Sequence, residues 1–100
     1  MLIEQLKNDM KEAMKSKDSF KLSVIRFLLA QIKNKEIELR SEDRSLEESD
    51  AVSVLKKQIK QRNQSIELYS KGNRHDLVEK EKLELEVLNA YYEKFAPAVE

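Results

Sequence analysis

An all-α fold, a four-helix bundle-like domain of long helices, is predicted by three features of this sequence. Glycine and proline occur once each in 100 residues, which leaves almost no chemistry for hairpin turns. Charged residues make up 38% and hydrophobic residues 40%, the mixture expected of amphipathic helices with solvated outer faces. The apolar residues recur at three- and four-residue spacing over nearly the whole chain. A chain of this length is expected to be one domain, residues 1–100, with a modest fully buried core.

The first helix is expected over 2–16, where Ile3, Leu6, Met10 and Ala13 form a stripe and Met14 widens it. Lys15-Ser16-Lys17-Asp18-Ser19 interrupts it, and Asp18 or Ser19 can cap the next helix. That second helix, 19–41, is the most apolar. Leu22, Ile25, Leu29 and Ile32 lie beside a second row of Phe20, Val24, Phe27 and Leu28, so it is expected at the centre of the bundle. Ser45-Leu46-Glu47-Glu48 fits the S-x-x-E capping box and predicts a third helix over 46–71. Its seam is Val52, Leu55, Ile59, Arg62, Ile66 and Tyr69, a heptad pattern with one charged member. The fourth helix, 75–95, runs along Leu77 or Val78, Glu81, Leu85, Leu88, Tyr92 and Phe95, and Pro97 marks its end. Between the last two, the stretch Tyr69 to Val78 reads as an αα-corner with Gly72 as the left-handed residue, φ > 0. The expected core is Ile25, Leu29, Leu55, Ile59, Leu85 and Leu88.

Several chemistries are set aside by composition. Without cysteine there is no disulfide, no thiolate metal site and no cysteine nucleophile. One glycine cannot build a phosphate-binding loop. His75 and Glu79 stand one helical turn apart, but two ligands do not make a metal site, so no metal and no cofactor are expected. None of the serines sits in a nucleophile elbow. The longest apolar run, Phe27 to Ala30, is too short to cross a membrane. The N-terminus lacks the apolar core of a signal peptide, and with the absence of cysteine this leads to the expectation of a cytoplasmic protein.

The zero net charge hides segregation. Residues 1–35 carry a balance of +4, 36–50 of −5, 56–74 of +5 and 76–93 of −4. Lys56, Lys57, Lys60, Arg62, Lys71 and Arg74 form the basic segment and are the candidate partner-binding residues. Arg26, in the most apolar helix, and Arg62, on a helix seam, must each be paired or reach out to water. Internal salt bridges to Asp9, Asp18 or Glu67 are the expected answer, with a phosphate or carboxylate clamp as the alternative.

Three blocks, DMKEAMKSKD, LSVIRFLLAQIKNKEIE and KQRNQSIELYSKGNRHDLVEKEKLELEVL, together resemble the YqeY family in order and spacing. Ile25-Arg26, Lys60-Gln61-Arg62, Gly72, Arg74 and Asp76-Leu77-Val78 stand where the family pattern has them. The family shares its domain with the C-terminal part of GatB, the B subunit of glutamyl-tRNA(Gln)/aspartyl-tRNA(Asn) amidotransferase. The resemblance implies an all-α module that helps hold tRNA, under the activity label of carbon–nitrogen ligase with glutamine as amido-N-donor. The amidase and kinase-like chemistry of that enzyme lies in other domains and subunits, so this chain is expected to be non-catalytic. Family members continue past the fourth helix into a smaller helical tail; this sequence ends Tyr91-Tyr92-Glu93-Lys94-Phe95-Ala96-Pro97 and stops at Glu100. It therefore resembles the N-terminal part of a GatB/YqeY-type module. The expected partners are tRNA or an aminoacyl-tRNA-related enzyme. A protein-interaction or self-assembling bundle with no nucleic acid partner is the alternative.

Overall fold

The computed structural model describes residues 1–99. Among them it places four α-helices, α1 (Leu2–Lys15), α2 (Ser19–Arg40), α3 (Glu48–Lys71) and α4 (His75–Phe95), followed by a 3-10 turn over Ala96–Ala98. There is no strand among the described residues. No helix among them is long and apolar enough to cross a membrane. Short connections fold each helix back on its predecessor, and the molecule measures 45 × 32 × 25 Å.

The helix boundaries have local causes. Asp18 caps α2 by accepting a hydrogen bond from the Lys21 amide at 3.1 Å. The α3 start departs from the Ser45 box. The helix begins at Glu48 with Glu47 as N-cap, and Asp50 Oδ2 accepts from the Glu47 amide at 2.9 Å. Two contacts account for the shift. Leu46 packs against the core, and the Glu48 carboxylate accepts from the Leu2 amide at 3.1 and 2.9 Å. One glutamate in the first turn of α3 thus also closes the N-terminus of α1.

The expectation for Gly72 is corrected. Gly72 has φ −88° and ψ 7°, and the left-handed residue is its neighbour Asn73, φ 56°. The Arg74 amide reaches the Tyr69 carbonyl at 2.9 Å and the Asn73 amide reaches Ser70 at 3.2 Å. That is a Schellman closure with Asn73 at its turning position. Asparagine tolerates left-handed backbone, so glycine is not required there. The two other inter-helix connections also turn through non-glycine residues, Lys17 (φ 59°) and Asp43 (φ 55°).

The core joins Leu2 and Leu6 of α1, Val24, Ile25, Leu28 and Ile32 of α2, Ala51, Val52 and Leu55 of α3, and Leu88 and Tyr91 of α4. Of the expected core, Ile25, Leu55 and Leu88 are fully internal, while Leu29 and Ile59 are half-buried against the cluster. Leu85 is also only half-buried. On α1 the inward row is Leu2, Leu6 and Ala13. Asp9, on the same row, is half-buried and accepts from the Tyr91 hydroxyl at 2.5 Å. Ile3 and Met10 are thereby left on the adjoining row, half-buried.

Candidate nucleic-acid interface

Arg62 is the residue on which the candidate site turns. Its place on the α3 seam aims it at α4, where Glu81 and Glu84 stand one turn apart. Its Nε lies 3.4 Å from Glu81 Oε2 and 3.2 Å from Glu84 Oε2, with all three side chains under 20% exposed. The guanidinium also sits 5.3 Å from the centroid of the Phe27 ring, a cation–π contact that shields its outer face. The internal ion pair expected for Arg62 is therefore present, but with Glu81 and Glu84 rather than Asp9, Asp18 or Glu67. Burial pushes the Glu81 carboxyl above its ordinary value, against the pull of Arg62, and the neighbouring Glu84 adds to the rise. A cavity of about 220 Å³ adjoins this cluster, bordered by Phe27, Gln58, Arg62 and Glu84. Gln58 is 4% exposed and its Oε1 accepts no hydrogen bond among the described residues.

The remaining basic residues are on the outside. At about 100° per residue, Lys56, Lys57, Lys60 and Lys71 fall within an arc of roughly 100° on α3. Arg62 points the other way. All four lysines are exposed. Lys71 bridges Glu67 at 3.5 Å across one helical turn. The lysines thus gather on one face by helix geometry alone, without help from the corner.

Arg74 behaves differently. It is the N-cap residue of α4, and its Nε and Nη2 donate to the two Asp76 oxygens at 3.3 and 3.2 Å. This hydrogen-bonded pairing holds the Asp76 carboxyl below its ordinary value and lifts Arg74. Asp76 lies in the first turn of α4, where the helix dipole favours an anion. A phosphate approaching that helix end meets a carboxylate already in place. His75 is the first residue of α4 and exposed. Among the described residues no group of three or more His, Cys, Asp or Glu side chains could hold a metal.

Arg26 is a second correction. It is exposed, and its Nη2 lies 3.7 Å from Met14 Sδ rather than against an internal carboxylate. Position 26 falls on the outer arc of α2, between Ile25 and Phe27 and away from the core. Tyr91 was overlooked by the periodicity, which placed Tyr92 on the seam. It is 7% exposed. Burial first, and then Asp9, push its hydroxyl to a higher pKa, so it is a proton-bearing donor throughout the ordinary pH range.

Comparison with known proteins adds ancestry. The family model described as Yqey-like protein matches residues 3–97. Relatives bearing the name altered inheritance of mitochondria protein 41, mitochondrial, are similar in sequence. The protein from Eremothecium gossypii is 44% identical over 89 residues, 89% of this chain and 48% of its own length. The one from Kluyveromyces lactis is 45% identical over 89 residues, 89% of this chain and 47% of its own. The one from Saccharomyces cerevisiae strain YJM789 is 38% identical over 92 residues, 92% of this chain and 49% of its own. The chain thus spans about half the length of these curated relatives. Their names place them in mitochondria, which overturns the expectation of a cytoplasmic protein. Missing cysteines and a polar N-terminal stretch are compatible with more than one reducing compartment and could not decide between them.

Proposed function

The chain belongs to the YqeY-like family, and on that premise we propose that it is a non-catalytic binding module whose α3 lays a lysine face along the phosphates of a folded RNA such as tRNA. One observation carries the reading. From Ala51 to Ile66 the helix holds Lys56, Lys57, Lys60 and Arg62 and no carboxylate. Arg62 is engaged by α4, and the three lysines share one outward face, which ends where Glu67 enters the same arc and pairs with Lys71 at 3.5 Å. A helix of 24 residues is about 36 Å long, which suits a backbone groove more than a single base. Phosphates and shape are read, not base edges, because the face offers lysines and small polar groups without an exposed aromatic platform. The resemblance is to the N-terminal part of a module that helps hold tRNA in the amidotransferase B subunit, and that kinship is the reason tRNA is the RNA to test. The ion pair of Arg74 with Asp76 makes the corner a minor contributor.

The binding is expected to be weak, with a Kd of about 10⁻⁴ to 10⁻⁶ M, and steeply salt-dependent. Titration of tRNA at 50 mM and 200 mM salt, with wild type and a Lys56/Lys57/Lys60→Ala variant, tests it. The wild-type affinity should fall with a logarithmic slope of about −3, and the variant should bind at least tenfold more weakly at low salt with a flatter slope. Equal affinity for the two proteins overturns the proposal. The alternative of a protein-interaction bundle rests on a different surface, between α1 and α2.

A further inference from the structure

Helix α1 carries more apolar surface than the core covers. Beside its buried row of Leu2, Leu6 and Ala13, the adjoining row of Ile3 and Met10 is half-buried, and Met14 at its end is 45% exposed. Across from it α2 presents Leu29, half-buried, and Ile32, while Leu46 from the α2–α3 connection closes the far end. Ile3, Met10, Leu29, Ile32 and Leu46 line a groove of about 430 Å³ that includes no residue of α3 or α4.

The rim of this groove is cationic. Lys7 and Lys11 stand on α1 and Lys33 on α2, against the single carboxylate of Glu36. Glu36 is already taken by Lys33 at 2.8 Å and Arg40 at 3.3 Å, and the hydrogen bond from Lys33 holds its pKa low. Lys7 and Lys11 are exposed and one turn apart. Past Glu36 the hollow continues between Arg40 and Arg44, with Asp43 as its one further acid.

We propose that this groove is a docking site for an acidic amphipathic helix of a partner protein. Two antiparallel helices leave between them a furrow into which a third helix lays its apolar row, the mode read as anchors at i, i+3 or i+4, and i+7. From Ile3 to Lys11 the furrow is about 12 Å long, room for two turns of the incoming helix. Met10, unbranched and polarizable, adapts to the anchors it meets. With Lys33 engaged by Glu36 on the α2 wall, Lys7 and Lys11 on the α1 wall select glutamates or aspartates on the flank of the incoming stripe. A neutral helix would leave that rim unanswered, and a basic one would be repelled. This site is independent of the α3 lysine face, and its failure leaves that reading untouched.

The probe is a synthetic 14-residue helical peptide with leucines at i, i+4 and i+7 and glutamates on the flanking rows. It is titrated into the full chain and followed by NMR shifts. Shifts confined to Ile3, Met10, Leu29, Ile32 and Leu46 are expected, with a Kd of order 10–100 μM for so small an interface. Lys7→Glu/Lys11→Glu should weaken binding roughly fivefold or more while leaving the melting temperature in place, because both side chains are exposed. A peptide with lysines for the glutamates should not bind, and tRNA binding should not respond to the peptide. The proposal is overturned if the charge-reversed peptide or the double variant binds as well as the originals, or if the shifts lie elsewhere. It is also overturned if only phosphatidylglycerol vesicles perturb these residues, or if sedimentation shows a self-dimer in which they are covered and which the peptide cannot open.

Discussion

From Ala51 to Ile59, α3 places Ala51, Val52, Leu55 and Gln58 inside the molecule; from Lys60 to Lys71 it buries no residue completely. The partner helix repeats the contrast. Its last part contributes Leu88 and Tyr91 to the continuous core, whereas its first half buries only Val78, outside that cluster. The two halves of one hairpin thus rest on different physics. The basal half is held by apolar burial shared with α1 and α2. The distal half is held by Arg62 with Glu81 and Glu84 and by half-buried Ile66, Tyr69 and Leu77, while Leu68 (68% exposed) and Leu83 (51%) face solvent. Hydrophobic burial responds little to pH or salt, whereas an ion-pair cluster responds to both. The distal half is therefore the part that opens at lower free energy, and it ends in the corner where the only glycine and the only histidine of the chain lie.

The largest expected effect tests that division directly. Leu55→Ala removes a fully buried side chain and should cost about 3 kcal/mol in a urea titration, whereas Ile66→Ala, half-buried, should cost about 1 kcal/mol. Equal losses from the two would erase the distinction between the halves.

Arg62→Ala comes next. It strands two carboxylates of 13% and 19% exposure beside one another. Breaking a fully buried pair costs 3–5 kcal/mol, and the residual exposure here reduces the expectation to about 2 kcal/mol at pH 7. The sign of its pH dependence follows from Glu81, whose carboxyl burial already raises above its ordinary 4.5 with Arg62 present. Removing the guanidinium raises it further, so the native variant holds protons that the unfolded chain releases. Stability of the variant relative to wild type should therefore recover as pH falls from 7 toward 4.5. A difference that stays constant or widens over that range would show that packing on Phe27, not charge, is what Arg62 provides.

The smallest effect concerns the corner itself. A Cβ at Gly72 would meet the Leu68 and Tyr69 carbonyl oxygens at 3.7 and 3.8 Å, ordinary contact distances, and the backbone there is not left-handed. Gly72→Ala should be neutral or stabilise by up to about 0.5 kcal/mol. Asn73→Ala should cost about 1 kcal/mol, since alanine resists φ near 56°. Thermal melts of the two variants check the pair. A clear loss at Gly72 with none at Asn73 would return the turning position to the glycine.

Local periodicity and capping chemistry determined by themselves that four long helices form, where three of them start, and that Ile25, Leu55 and Leu88 face inward. They also favoured an internal partner for Arg62, because a guanidinium on a helix seam must either be paired or reach out to water. Only the tertiary structure decided which partner. Glu81 and Glu84 lie some twenty residues away; the α4 period already put Glu81 on the seam, but only the folding back of α4 matched that position to Arg62 and brought Glu84 in beside it. The same holds for the turn at Asn73 rather than Gly72, where the last hydrogen bonds of α3 fix the reversal one residue later. It holds for α3 starting at Glu48, because Leu46 and the Leu2 amide draw that segment into contacts beyond its own turn. It holds again for Tyr91 over Tyr92 and for Arg26 on the outside of α2. A 3.6-residue period says which residues share a face, but two adjacent faces of one helix satisfy it almost equally. The neighbouring helices choose between them, by where the Asp9 carboxylate finds a donor and where Leu2 and Leu6 find the most apolar surface to cover.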